Sequence, residues 1–515
     1  MGTETQQAGR QPGTGGSLSQ RRDLTFPAAS RLLLASLTQG RISAAPYDTA
    51  FLSRLRKPDA PDTLAYPQSL NWLLRSQNPD GSFGTQLPMP KERLVSTLSA
   101  LVALADLPDA QQQGAPHRAR LAALRYLYED TGNWQTGPDT AGFELLLPAL
   151  LDEANARELP LPYERFRGVI AQRDAKIGHI PPRLIYNVDT PLLHSLEFLG
   201  GRIDAEAARA RISPNGSFAN SPSATAFFLL HAADAKASAY LDAVLAARGD
   251  GSLPTVAPFE VFELAWVLYN LARADFRPSD AAQHVTYLAQ SLTEDGVGVA
   301  REGLRPDSDD TALTLSVLHQ YGYPISFGPL RPFEGINFFF TFPLERDASV
   351  TANAHVLEVL RACAPFPRQH VITQKVVKFL GDARVDQDHW IDKWHVSPLY
   401  ATAHAIFALR EAAPDLCLKA FSFIKNAQRG DGSWGWFSQG TPEETAYAVQ
   451  ALMAAPASIR ADFEPNLARA EQYLNETQGE PVIPMWVGKT LYAPDAVIDS
   501  AVLSARILLA RRAAC

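Results

Sequence analysis

Three carboxylates crowd into four positions at Asp307-Ser308-Asp309-Asp310, and Thr311-Ala312-Leu313-Thr314-Leu315 continue from them as an apolar helix. Read locally, this is a charged helix start, because Asp caps free amides and the helix dipole favours negative charge. It does not match a calcium loop, since the downstream Gly and Glu of an EF-hand are missing. A further chemistry is open to it. Carboxylates this close cannot all ionise cheaply, so burial and mutual repulsion can hold a proton on the group at neutral pH. Facing a dry cavity lined with aromatic rings, such an acid can protonate an alkene, and each ring then stabilises the cation by roughly 0.5–2 kcal/mol. The helix dipole opposes this by lowering the pKa, so the acid reading requires Asp309 to point inward.

The elements that must position these groups are helical. Apolar residues recur at helical spacing in Leu32, Leu33, Leu34 and Leu37, in Leu98, Leu101, Val102 and Leu104, and in Val497, Ile498, Val502 and Leu503. An Asp/Asn-Gly-Ser-aromatic turn precedes such helices at Asp80-Gly81-Ser82-Phe83, Asn215-Gly216-Ser217-Phe218 and Asp431-Gly432-Ser433-Trp434, with weaker copies at Asp250-Gly251-Ser252 and Asp295-Gly296. Two copies lead into Ser221-Pro222 and Thr441-Pro442, a capping residue followed by a proline at a helix start. Repetition at roughly 35–50 residues signals stacked helix pairs that cannot bury their faces alone, and a closed ring of hairpins is one solution.

Composition narrows the function classes. The chain has 515 residues and a net charge of 47 − 55 = −8, which leaves no electrostatic footprint for nucleic acid. Its three cysteines, Cys363, Cys417 and Cys515, form no CxxC pair, so neither structural zinc nor a disulfide framework is supported and a reducing cytoplasm fits. Residues 1–22 are rich in Gly, Gln, Thr and Ser and read as a disordered leader, not a signal peptide. No apolar run is long enough to span a bilayer.

With the Gly-aromatic turns in place, Asp307-Ser308-Asp309-Asp310-Thr311-Ala312 resembles the DxDD acid motif of the class II terpene cyclases. Further segments resemble class II diterpene cyclases in the same order: Tyr47-Asp48-Thr49-Ala50, Arg93-Leu94-Val95-Ser96-Thr97-Leu98, Gly142-Phe143-Glu144, Thr190 to Glu197, Val261-Phe262-Glu263 and Val487 to Tyr492. The resemblance implies an all-α fold of two α-barrels, the βγ didomain architecture. A helix within 23–52 joins the second barrel, a γ-type barrel is inserted at 53–268, and a β-type barrel at 269–515 carries the acid. It implies that Asp309 delivers the proton while Asp307 and Asp310 tune it, with His355, Asn353 and Thr351 as hydrogen-bond partners of the acid, His355 first. His194 matches a histidine that holds a catalytic water in some plant members, where the companion Asn is Thr255 here. Lys176 sits where a diphosphate-binding Lys is implied, with Lys393 and Lys489 as partners. Glu129, Asp130 and Glu144 lie where a magnesium-associated acidic motif is implied.

Trp266, Trp394, Tyr400 and Phe338 are candidate cavity walls, although aromatics are core residues by default. The implied reaction is protonation-initiated cyclisation of geranylgeranyl diphosphate to a bicyclic labdane- or copalyl-type diphosphate, with the diphosphate retained. A class I terpene synthase would be a downstream partner. Farnesyl diphosphate giving a drimenyl-type product is the near alternative. A rival of another class is a non-catalytic helical-repeat scaffold, which would leave the tetrad exposed to solvent.

Overall fold

The computed structural model describes residues 25–108, 111–129, 134–188, 190–343, 345, 347–477 and 482–513; the expected leader at 1–22 lies outside them. The described residues are all-α apart from two short antiparallel pairs, β1 (Arg56–Lys57) with β2 (Ala60–Leu64) and β3 (Trp486–Val487) with β4 (Leu491–Tyr492).

The inner helices are α1 (Phe26–Ala35), α2 (Pro46–Ser53), α3 (Pro90–Ala105), α4 (Phe143–Ala156), α5 (Pro222–Leu229), α6 (Glu260–Arg273), α7 (Ser308–Gln320), α8 (Val350–Ala362), α9 (Pro398–Ala412), α10 (Pro442–Met453) and α11 (Asp495–Ala513), with α1 flanking α11. In the first barrel, α2, α3, α4, the kinked segment Pro191–Arg202 and α5 each pack on the next, and α5 returns to α2. In the second, α6 to α11 close a six-membered ring in the same way. These helices are buried nearly all round, α3 from Leu94 to Leu104 for instance, as expected of elements walled by outer helices. Many start with a proline in the first turn, and Ser221, Asp307, Ser349, Ser397 and Thr441 cap their helices with side-chain oxygens.

One hydrogen bond explains the repeat. In each copy the turn residue donates its backbone N–H to a hydroxyl on the next inner helix: Phe83 to Thr97, Phe218 to Thr225, Val297 to Thr311, Trp390 to Thr402 and Trp434 to Thr445. The turn itself folds because Asp or Asn accepts from the Ser amide two residues on. Its glycine is required twice over. Gly216 and Gly432 have φ of +91° and +89°, and a Cβ there would collide with the carbonyl oxygens of Lys236 and Arg469.

The two cores divide the chain elsewhere than at 53 and 268. Tyr47, Ala50, Phe51 and Leu52 belong to the first core, since Phe51 packs on Phe227, whereas Val261 to Leu271 belong to the second, where Trp266 meets Tyr400 and His355. As expected, Leu33, Leu34 and Leu37 near the N-terminus pack into the second core. Among the described residues no helix is long and apolar enough to cross a membrane.

Candidate active site

The tetrad opens α7 inside the second barrel. Asp307 caps the helix, its Oδ1 accepting from the amides of Asp309 at 2.9 Å and Asp310 at 2.8 Å. The same residue supplies the repeat, because Thr311 accepts the turn amide of Val297 and donates back to the Asp307 carbonyl. The motif is thus a repeat unit whose first turn has been filled with carboxylates.

Burial overcomes the dipole for the flanking pair. It pushes Asp307 up to about 7, against hydrogen bonds from Asp310 and with help from the charge of Asp309. Burial, then the charge and hydrogen bond of Asp307, raise Asp310 well above the carboxylate range. Burial therefore disfavours full ionisation of the Asp307–Asp310 pair. Asp309 points away from that pair, its Oδ1 2.5 Å from Nδ1 of His355 on α8. Its side chain keeps 14% of its surface accessible, the most of the three. Burial of the whole cluster removes the scaffold reading's expectation of an exposed tetrad.

Aromatic rings pack around the partner of Asp309, His355. Trp266 lies 5.3 Å from the His355 ring, 5.0 Å from Trp486 and 6.0 Å from Tyr400, and Tyr492 is 6.4 Å from Trp486. The Tyr492 hydroxyl is raised, first by burial and then by the charges of Asp310, Asp309, Glu443 and Asp307, which places it within electrostatic reach of the tetrad. Glu443 accepts from Trp486 Nε1 at 2.8 Å and lies 3.4 Å from His395 Nε2.

Several expected partners are spent elsewhere. Asn353 does not touch the acid: its amide accepts from the Phe339 N–H and donates to the carbonyls of Phe339 and Ser349, the job done by Thr in other copies of the repeat. Thr351 lies at the start of α8, its amide bonded to Asp392 and its hydroxyl near Ser349. Trp266 and Tyr400 are fully buried in the aromatic cluster and back the site instead of facing open space. Trp394 is half-buried, packed on Phe342 and bonded to Thr341, whose carbonyl accepts from Ser308. Phe338 packs edge-on against Phe340 and tilted against Phe379, in an open surface recess with Arg368 away from the tetrad.

The lysines divide likewise. Lys489, in the β3–β4 turn, is wholly enclosed and bonds Glu197 at 2.7 Å, Ser221 at 2.6 Å, Ser223 at 2.5 Å and the His194 carbonyl at 2.8 Å. Its ammonium is saturated by the first barrel, so it is a structural staple and not a free diphosphate ligand. Lys393 is held by Glu345 and the Asp347 carbonyl. Lys176 is half-exposed and pairs with Glu144. Glu144 is committed to that pairing and Glu129 is exposed at a helix end; among the described residues no three acidic, His or Cys groups cluster for a metal, and Asp130 lies outside them. His194 donates Nδ1–H to the Ala219 carbonyl at 2.8 Å, and burial first, then Lys489, push its pKa down to about 3. Thr255 is buried with an unpartnered hydroxyl.

The sequence reading missed His404, which is 2.9 Å from His355 Nε2, and Trp486, Tyr492 and Glu443. Counting two residues back from each repeat hydroxyl would have found part of this set, since Asp309, Tyr400 and Glu443 occupy that same position.

Two closed helical barrels with a buried carboxylate cluster and aromatic rings packed around His355 define a cyclase that works by protonation. Residues 343–490 match the squalene-hopene cyclase C-terminal domain family. The chain is 34% identical to the type B diterpene cyclase of Mycobacterium tuberculosis over 92% of its own length and 97% of that protein. It is 33% identical to labda-7,13-dienyl diphosphate synthase of Streptomyces clavuligerus, covering 94% of this chain and 93% of the relative. The solved ent-copalyl diphosphate synthase from Streptomyces platensis superposes with a TM-score of 0.75 at 31% identity, over 94% of this chain and 99% of that one. The chain belongs to the class II terpene cyclases, among their diterpene cyclases.

Proposed function

We propose that this cyclase converts geranylgeranyl diphosphate to a bicyclic labdane- or copalyl-type diphosphate. The observation that carries this reading is the buried tetrad with Asp309 aimed at His355. Asp309 transfers its proton to the terminal alkene, two ring closures follow, and a base removes one proton from the final cation, so the product is an isomer of the substrate. His355 steadies the carboxylate left on Asp309 through Nδ1–H. Tyr492, within electrostatic reach of the tetrad, is the proposed ring for the cation, with Trp486 packed behind it.

His194 is the proposed acceptor at the end of the reaction, acting through a water. With Nδ1 committed to Ala219, its Nε2 is a lone pair, and Thr255 supplies a hydroxyl in place of an amide. Lys176, the most accessible of the three candidate lysines, is the proposed contact for the diphosphate. Magnesium carried on the diphosphate, not on a carboxylate set of this chain, is compatible with the pairing of Glu144. Because the diphosphate is kept, a class I terpene synthase that ionises it is the enzyme class that would consume the product.

Incubation with geranylgeranyl and farnesyl diphosphate in competition, then phosphatase and mass spectrometry, tests the reading. A bicyclic twenty-carbon alcohol is expected; a drimenyl-type alcohol as the main product would replace it with the fifteen-carbon reaction.

A further inference from the structure

Behind the acid, a second imidazole closes the chain of contacts. His404 on α9 places Nδ1 2.9 Å from His355 Nε2, and its own Nε2 is buried without a partner. Its ring stacks on Tyr269 and lies within 5.5 Å of Trp266, Tyr400, Phe407 and Tyr447. Burial, then the neighbouring His355, Arg273 and His395, hold it well below the ordinary histidine pKa, so it is neutral. Arg273 is itself paired with Glu358, which also accepts from Tyr269.

The proton count across this chain is restrictive. A nitrogen–nitrogen hydrogen bond contains one proton, and a neutral imidazole has one to give. An acid that serves an alkene must carry its proton on the oxygen facing substrate. Its other oxygen, Oδ1 here, then has to be met by a donor, because a bare ring nitrogen at that point would draw the acid's proton away from the reaction. His355 therefore needs its hydrogen on Nδ1, which leaves Nε2 as an acceptor that something must fill.

We propose that His404 is a positioning residue for the acid: its Nδ1–H donates to His355 Nε2 and holds His355 in the tautomer that carries its proton on Nδ1, toward Asp309. The inference rests on Asp309 being the acid. It also makes the relay blind at its far end, because His404 Nε2 reaches no further polar group among the described residues. Asp309 is consequently recharged from the substrate side and not through the histidines.

Two measurements test it. The first is ¹⁵N NMR of the full-length protein labelled at its 11 histidines, with His355 assigned from the resonance lost in His355→Asn. His355 should show a protonated Nδ1 and a bare Nε2; a bare Nδ1, or two protonated nitrogens, overturns the proposal. The second compares three variants by kcat, KM and pH profile. His404→Asn puts an amide donor near the place of Nδ1 and should stay within a few-fold of the parent. His404→Gln and His404→Phe lack a donor there and should lose at least about 10-fold in kcat with KM little changed, since a misdirected tautomer disables an otherwise intact site. Equal losses in all three, or none, would make His404 a packing residue. The NMR result needs no substrate, so its failure counts against His404 alone. Full turnover by Asp309→Ala would instead overturn the acid assignment and the catalytic part of this inference with it.

Discussion

At the rim of the first barrel, Glu197 and the hydroxyls of Ser221 and Ser223 close around the ammonium group of Lys489, and Tyr47 donates to the same carboxylate. At the rim of the second, Asp307, Asp309 and Asp310 are met by one another and by an imidazole. Both are buried polar clusters at the start of an inner helix of the same repeat. The first pairs Glu197 with the Lys489 ammonium, and Asp48, buried beside them, is raised to about 6, by burial first. The second is short of positive charge, so burial disfavours full ionisation of Asp307 and Asp310 beside the proposed acid Asp309. One architecture thus yields a staple or an acid according to which residue enters the helix mouth.

The largest expected effect tests the acid side of this contrast. Asp309→Ala should lower turnover by about 10²–10⁴-fold while circular dichroism and unfolding stay near the parent, as measured by product formation from geranylgeranyl diphosphate. On the staple side, Lys489→Met leaves Glu197 buried without its cation and should destabilise the protein by about 3–5 kcal/mol in urea unfolding. Adding Glu197→Gln should recover a large part of that loss; no recovery would mean that Lys489 acts by packing alone.

The third prediction concerns pH. Burial raises Asp307 from the ordinary 3.8 to about 7 in the fold, so the folded chain holds a proton more tightly than the unfolded chain does. The stability from that proton is complete below about pH 4 and lost as pH rises to about 7. The difference in urea midpoint between the parent and Asp307→Asn should change across that window and be flat above it, and parent turnover should decline as pH passes 7. Smallest, Thr225→Val and Thr311→Val each strand a buried amide, of Phe218 and Val297, and should cost about 1–3 kcal/mol apiece. The Thr311 variant should also slow turnover, whereas the Thr225 variant should not.

Much of this was legible beforehand. The turns Asp80 to Phe83 and Asp431 to Trp434 announce their own geometry, because Asx turns and glycines act locally. The pairing of Asp309 with His355 was legible through the family resemblance. Lys489 was not, since its partners Glu197 and Ser221 are some 270–290 residues away, and only closure of both barrels brings them together. Asn353 was misread as a partner of the acid because its place in the repeat is normally filled by Thr. His404 gave no signal beyond a histidine in an apolar helix.

The packing of α1 against α11 has a consequence for biosynthesis. The α1 helix precedes the first barrel in the sequence, yet Leu33, Leu34 and Leu37 pack into the core of the second. The first barrel, complete once Leu253 has left the exit tunnel, can condense while that helix still waits beside it. Until the second barrel is synthesised, that leucine stripe lacks the core it packs into in the finished fold.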